Sequence, residues 1–93
     1  MPRIDSVDID EYILEKVQVK HGVGWQEVEE VCYSRRQAQR AGRDETLLVY
    51  GQTHAGRYLL VVLAAHEYSW MVVTARAMND AERRWYRDAR RQA

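Results

Sequence analysis

The chain has 93 residues, of which 46% are hydrophobic and 30% charged, and its 14 basic and 14 acidic side chains give a formal net charge of zero. This length fits a single domain, residues 1–93, and the hydrophobic fraction is too high for a disordered chain. The longest apolar run, residues 58–65, is far shorter than the roughly 20 residues that cross a membrane. Cys32 is the single cysteine, which excludes an internal disulfide. With no segment typical of a signal peptide, these features predict a cytoplasmic protein that does not associate with membranes.

The two ends of the chain carry opposite charge. Residues 1–30 contain three basic and eight acidic side chains, whereas residues 31–93 contain eleven basic and six acidic ones. The net charges are therefore −5 and +5. If the two sets separate in space, one part of the surface can face an anion while another faces a basic partner.

The first third of the chain predicts two helices joined by a tight turn. The first helix begins near Asp8, with Glu11 three residues later as in a capping box, and ends before Gly22, a typical C′ residue. Its apolar face recurs at helical spacing through Ile9, Tyr12, Ile13 and Val17. The second helix has Gly24 as N-cap and Glu27 at the third helical position. Its buried face is formed by Trp25, Val28, Val31 and Cys32.

The rest of the chain predicts a sheet followed by one helix. Residues 34–45 are polar and arginine-rich and are expected to form a loop. Strands are predicted over about residues 46–53, 57–64 and 68–76, with turns at 54–56 and 65–67. The last helix begins at the N-cap Asn79, has Glu82 three residues later, and packs through Ala81, Trp85 and Ala89. These elements predict an α+β protein with two N-terminal helices, a three- to four-stranded antiparallel sheet and a C-terminal helix.

Two arginines lie at strand ends, where their side chains can project from the sheet. Strict alternation along the third strand places Arg76 on one face with Val72 and Thr74. An arginine in this place can hold a phosphate through two parallel hydrogen bonds. The alternative is a salt bridge with Glu82 or with the acidic first helices. Arg57 opens the second strand beside the hairpin turn, and its alternative is an exposed edge charge.

Further arginines follow in the polar loop and in the last helix, and their density predicts a phosphate-binding surface. They are Arg35, Arg36, Arg40, Arg43, Arg83, Arg84, Arg87, Arg90 and Arg91. Taken singly, each is an ordinary solvent-facing charge. Two histidines, His54 and His66, fall in the predicted turns and are expected to be exposed.

The chain has no metal-ligand spacing, no glycine-rich phosphate loop and no nucleophile elbow, so no metal or other cofactor is predicted. RNA cleavage remains open, because the 2′-hydroxyl can attack the adjacent phosphate once a protein orients the strand and moves two protons. Arginines can stabilise the charged phosphorane. The candidates for the proton transfers are Lys20, His21, Tyr86 and Glu82. His21 has an alternative role as a donor to the last carbonyls of the first helix.

Several short motifs occur in order along residues 16–87. They are Lys20-His21-Gly22-Val23, the acidic helix 25–31, Tyr50-Gly51-Gln52-Thr53, Gly56-Arg57, Thr74-Ala75-Arg76 and Glu82-Arg83-Arg84-x-Tyr86. No motif is specific alone, but their order and spacing resemble the BrnT family of bacterial toxins. The N-terminus departs from that family's usual Phe-x-Trp-Asp stretch, since residues 4–8 read Ile-Asp-Ser-Val-Asp.

The resemblance implies a compact relative of the RelE ribonuclease fold. It also implies a metal-independent endoribonuclease that halts translation, with a cognate DNA-binding antitoxin encoded beside it. The expected catalytic residues are Arg76, Arg57, His21, Lys20 and Glu82. The resemblance and the density of arginines together predict RNA contacts from Arg83, Arg87, Arg43 and Thr74.

Two other functions remain open. The same domain could be an inactive module that binds a protein partner or nucleic acid. It could also be a structural domain that self-associates through its opposite charges, with Trp70 or Trp85 exposed at the interface. Either a homo-oligomer or a hetero-oligomer is compatible with the sequence.

Overall fold

The computed structural model describes residues 2–92, which form three helices and a five-stranded mixed sheet of the α+β class. The helices are α1 (Glu11–His21), α2 (Trp25–Cys32) and α3 (Asp80–Arg91). The strands are β1 (Val7–Asp8), β2 (Ala38–Ala41), β3 (Leu47–Gln52), β4 (Tyr58–His66) and β5 (Ser69–Ala77), in the sheet order β1-β5-β4-β3-β2. The predicted class is confirmed. The predicted three- to four-stranded antiparallel sheet is wrong in strand number, and β1 is parallel to β5.

The N-terminal segment joins the sheet before it becomes helical. Asp8 pairs with Met71 of β5, so α1 does not begin at Asp8. The N-cap is Asp10, whose Oδ1 accepts a hydrogen bond from the Tyr12 amide at 2.7 Å. The predicted capping box of Asp8 and Glu11 is therefore wrong, because strand pairing holds Asp8 outside the helix.

The turn between α1 and α2 follows the sequence prediction. Gly22 has φ = 65°, a left-handed conformation that glycine adopts without steric cost. The Gly24 amide donates to Glu27 Oε1 at 3.1 Å at the start of α2. Near the other end of α2, a Cβ at Gly51 of β3 would lie only 2.9 Å from Val31 Cγ1. Glycine at that position lets α2 pack directly onto the sheet.

The predicted loop at residues 34–45 contains a strand. Ala38–Ala41 pairs with β3 in antiparallel register, and a short 3₁₀ helix, Arg43–Glu45, joins the two strands. Because β2 is an edge strand with two exposed residues, its sequence lacks the apolar run that marked the others. The β3–β4–β5 meander lies within two residues of its predicted bounds, and the turn between β4 and β5 falls at 67–68.

The sheet separates two hydrophobic cores. The larger lies against α1 and α2, where Val17, Val28 and Val31 pack on Leu59 and Leu63. The smaller lies against α3 and is formed by Tyr50, Leu60, Met78 and Tyr86. We call the two sides of the sheet the α1–α2 face and the α3 face.

A β-bulge in β5 decides which face Arg76 occupies. The pairing with β4 passes from Thr74 directly to Val72, so Val73 is an extra residue without a partner. Val72 therefore packs in the larger core, whereas Thr74 and Arg76 lie on the α3 face. The predicted common face of Val72, Thr74 and Arg76 is wrong because strict alternation does not survive the extra residue.

α3 packs through Tyr86, which is 5% exposed, rather than through Ala81, which is exposed. Trp85 is half-buried, with its ring centroid 4.7 Å from that of Tyr50. Trp70 is also half-buried, against the larger core. Neither tryptophan has the exposure that the self-association hypothesis assumed.

Candidate nucleic-acid interface

Arg76, the predicted phosphate ligand, is held by a carboxylate. Its Nη1 and Nη2 donate to Glu82 Oε1 and Oε2 at 2.7 and 2.8 Å. Glu82 Oε1 also accepts from the Asn79 amide at 2.9 Å, which closes the capping box of α3. The hydrogen bonds from Arg76 hold the pKa of Glu82 below its ordinary value. The salt bridge considered as the alternative is the one observed, and it fastens α3 to β5.

Arg57 is occupied in a similar way by α2. Its Nη1 donates to Glu27 Oε1 and Oε2 at 2.9 and 3.0 Å and to the Gly22 carbonyl oxygen at 2.9 Å. This cluster fastens the β3–β4 hairpin to the turn between α1 and α2. Lys20 and His21 lie beside it in the last turn of α1, Lys20 exposed and His21 half-buried.

The structure therefore divides the predicted catalytic residues into two groups. Lys20, His21 and Arg57 lie with the α1–α2 turn, whereas Arg76 and Glu82 lie on the α3 face. The sheet lies between the two groups, so they do not form one site.

The predicted RNA-contact residues are also spread over the molecule. Arg83 pairs with Asp80 in the first turn of α3, and Arg87 lies one turn further along. Thr74 lies on the α3 face in the middle of β5. Arg43 lies in the 3₁₀ helix between β2 and β3, at the opposite end of the sheet from the β3–β4 hairpin.

A cleft of about 820 Å³ lies between the β3–β4 hairpin, the segment before β2 and the C-terminal half of α3. Its charged lining consists of Arg36, Arg87, Arg90 and Arg91, together with the titratable His54. Tyr58 and Tyr86 supply the aromatic lining, and no carboxylate side chain contributes. We call this site the arginine cleft. Its positive potential and aromatic surface are the features that bind single-stranded nucleic acid.

Tyr86 fixes the base of the arginine cleft. Its hydroxyl donates to the Arg36 carbonyl oxygen at 2.8 Å, which fastens the segment before β2 to α3. Burial raises the pKa of Tyr86, so its phenol stays protonated. Tyr86 was one of the four candidates for the proton transfers considered from the sequence, and its hydroxyl is engaged by the Arg36 carbonyl oxygen. The rings of Tyr58 and Tyr86 meet edge-on, with their centroids 6.1 Å apart. The guanidinium carbons of Arg83 and Arg87 each lie 6.0 Å from the centroid of the Tyr58 ring.

His54 reaches the arginine cleft from the tip of the β3–β4 hairpin. Its amide donates to Glu30 Oε1 at 2.9 Å, and its Nδ1 lies 3.5 Å from Glu30 Oε2. The hairpin is closed by the buried Thr53, whose amide donates to the Arg57 carbonyl oxygen at 2.9 Å and whose Oγ1 accepts from the Arg57 amide at 3.0 Å. Sequence reasoning assigned His54 no role, because no spacing signal connects positions 30 and 54.

The charges of the two chain segments differ on the two sides of His54, although Arg57 and Glu27 join the segments in one ion pair at the same hairpin. All arginines of the cleft come from residues 31–93. On the other side of His54, a second cleft of about 440 Å³ is lined by Glu29 and Glu30 of α2.

Within residues 2–92, no three histidine, cysteine or carboxylate side chains are grouped closely enough to hold a metal ion. Burial raises the pKa of Cys32 to about 12, so this thiol is a packing residue rather than a nucleophile. None of the helices in the described part of the chain combines the length and apolar character needed to cross a membrane.

No protein-family model and no curated protein sequence matches this chain. The resemblance to BrnT toxins therefore depends on the quoted motifs alone.

Proposed function

We propose that this protein binds single-stranded RNA in the arginine cleft and cleaves it without a metal ion, as the toxin of a toxin–antitoxin pair. The observation that carries the proposal is the composition of the cleft. Four arginines, two tyrosines and a histidine line it, and no carboxylate side chain is among the lining residues. The toxin role comes from the resemblance to the BrnT family.

The binding half of the proposal follows from the charges of the cleft. A guanidinium can hold a phosphate through two hydrogen bonds, and several of them in one groove follow a nucleic-acid backbone. Tyr58 is half-buried, so part of its ring surface is open for a base to stack on. A single strand suits this site better than a duplex, because stacked and paired bases do not present their faces.

The cleavage half follows from the chemistry of RNA. The 2′-hydroxyl lies next to the phosphate that it attacks, so a protein needs only to orient the strand, transfer protons and stabilise the phosphorane. Arg87 and Arg90 line the cleft from α3, and we expect them to supply the stabilising charge. One such donor contributes about 100-fold or more in rate.

Cleavage of end-labelled RNA in excess EDTA tests the proposal. The parent protein is expected to release fragments, and the Arg87→Ala, Arg90→Ala double variant to cleave at least about 100-fold more slowly. Arg84→Ala is the matched control, because Arg84 is an exposed arginine of the same helix outside the cleft lining. Folded parent protein that leaves RNA intact across a range of sequences contradicts the cleavage half.

An inactive binding module is the second candidate, and one observation favours it. Arg57 and Arg76, the arginines expected to act on phosphate, are both neutralised by glutamates. This function predicts RNA binding without products and with log affinity falling by about 0.7 per phosphate contact for each unit of log salt. Binding that ignores salt contradicts both candidates.

The proposed toxin role also implies a partner protein. We expect a DNA-binding antitoxin encoded beside this gene, and growth arrest when the protein is produced without it. Co-production of the neighbouring gene product should restore growth. Growth that is unaffected by the protein alone argues against the toxin role, even if RNA is bound in solution.

A further inference from the structure

The cleavage chemistry needs a proton acceptor, and the lining of the arginine cleft offers one. Guanidinium groups remain protonated, and tyrosine and hydroxyl side chains are poor bases near neutral pH. We propose that His54 is the catalytic base of the arginine cleft and that Glu30 is its positioning residue. This inference rests on the proposed RNA cleavage in the cleft and identifies the side chain that accepts the proton of the 2′-hydroxyl.

The geometry distinguishes the two ring nitrogens of His54. Nδ1 faces Glu30 Oε2 at 3.5 Å, which leaves Nε2 as the nitrogen available to a substrate. The His54 side chain is 83% exposed, so a bound strand can reach it. The Glu30 side chain is only 13% exposed, which makes it a fixed support rather than a second reactive group.

The backbone under His54 is held in place from both sides. Glu30 Oε1 accepts the His54 amide at 2.9 Å, and the Thr53–Arg57 hydrogen bonds close the turn. The Arg57–Glu27 pair then fastens this turn to α2, the helix that carries Glu30. Histidine and glutamate therefore belong to one braced unit, as an acid–base pair requires.

The charged groups around His54 differ on its two sides. Glu29 and Glu30 of α2 lie on one side, and Arg36 with the α3 arginines Arg87, Arg90 and Arg91 lies on the cleft side. Those arginines and His54 line the same cleft, so a strand whose phosphates they hold passes along the imidazole. Lys20 and His21, two of the candidates for the proton transfers considered from the sequence, are not among the residues that line this cleft.

The proposed step is transesterification within the RNA strand. His54 Nε2 accepts the proton of the 2′-hydroxyl while the bond between O2′ and phosphorus forms. The bond between phosphorus and O5′ breaks, and O5′ takes a proton from water at the open mouth of the cleft. The hydroxide left behind takes up the proton held by His54 Nε2, which restores the neutral imidazole. The products are a 2′,3′-cyclic phosphate and a 5′-hydroxyl end, with no change in oxidation state.

The test compares cleavage and binding of the same labelled RNA by the parent, His54→Ala and His66→Ala. His54→Ala is expected to cleave at least about 100-fold more slowly with RNA affinity retained, because a general base contributes about 10²–10⁴-fold. His66→Ala is the matched control and should cleave like the parent, since His66 is an exposed histidine at the far end of β4. A DNA strand of the same base sequence, which lacks the 2′-hydroxyl groups, should bind without being cut.

Glu30→Gln tests the positioning role, because glutamine keeps an acceptor for the His54 amide and removes the charge. We expect its kcat to fall while its KM for the RNA stays at the parent value, because a misoriented imidazole slows proton transfer without removing a phosphate contact. A purely structural role would lower thermal stability and leave kcat in place, which contradicts the positioning role. Cleavage by His54→Ala equal to that of the parent overturns the base assignment alone. A parent that binds but never cleaves RNA overturns the proposed function instead.

Discussion

The arginines of this protein fall into two groups that share a side-chain type and differ in their partners. Arg57 and Arg76 each donate to both oxygens of a glutamate and are about 40% exposed as side chains. Arg36, Arg87 and Arg90 of the arginine cleft make no ion pair with a described side chain between residues 2 and 92. Arg91, the fourth arginine of the cleft, lies 3.7 Å from Asp88 in an exposed pair within α3 that joins no other element. Arg57 and Arg76 therefore build the frame, and Arg36, Arg87 and Arg90 are left to bind.

The two pairs also explain how the arginine cleft is held open. Arg57 with Glu27 fixes the hairpin that forms one wall, and Arg76 with Glu82 fixes the start of the helix that forms the other. Replacing a paired arginine should therefore act first on stability and only then on RNA. Replacing a cleft arginine should do the reverse.

The largest stability effect is expected from Glu82→Ala. This change removes the partner of Arg76 and opens the capping box at Asn79, at a cost of about 1–2 kcal/mol after allowance for the partial exposure of Arg76. Urea unfolding measures it. Asp88→Ala, which removes only an exposed ion pair with Arg91 inside the same helix, is the control. Equal losses in the two variants would mean that the pair does not fasten α3.

Arg57→Ala should cost somewhat less, about 1 kcal/mol, because its guanidinium is partly exposed and solvent screens the pair with Glu27. The same loss should loosen the hairpin, so amide hydrogen exchange at Thr53 and His54 should accelerate. Arg43→Ala, at the other end of the sheet, should leave both unchanged. If amide exchange at Thr53 and His54 is the same in Arg57→Ala as in the parent, the Arg57–Glu27 pair does not hold this wall of the cleft.

The pH dependence of stability should carry the signature of Glu82. Its pKa is lowered in the folded protein, so the stabilisation is present above the ordinary carboxyl pKa and is lost as pH falls through the folded value. Acidification below that ordinary pKa should therefore destabilise the parent more than Glu82→Gln, which has no charge to lose. Thermal melts across this range check it, and parallel curves for the two proteins would contradict it.

The sequence predicted those elements whose local signals agree with their packing. Gly22 marks the end of α1 and Gly24 marks the start of α2. The continuous apolar stretches of β4 and β5 predicted the central strands. β2 was missed because the edge of a sheet does not demand apolar residues. The bulge at Val73 was also missed, and it alone moves Arg76 to the face on which Glu82 lies.

The candidate site was harder to predict than the fold, because its residues are brought together by tertiary packing. On α3, the side chains of Ala81 and Trp85 lie next to that of Tyr86. Packing against the sheet determines which of them is buried. His54 and Glu30 belong to different elements with no common spacing. Arginine content indicated an anion-binding surface, but only the partner of each arginine shows which of them remain available.

The smallest stability effect should come from the cleft arginines themselves, and it separates the two groups most directly. Arg87→Ala and Arg90→Ala should each change the free energy of unfolding by less than about 0.5 kcal/mol, as expected for surface residues without a partner. Removing two cations from one side of α3 also relieves their mutual repulsion, which offsets any packing that is lost. In RNA binding, each loss of a phosphate contact should reduce the salt dependence by about 0.7 in the log–log slope. A cleft arginine whose removal unfolds the protein, or a paired one whose removal changes only the salt slope, would reverse the assignment of frame and binding site.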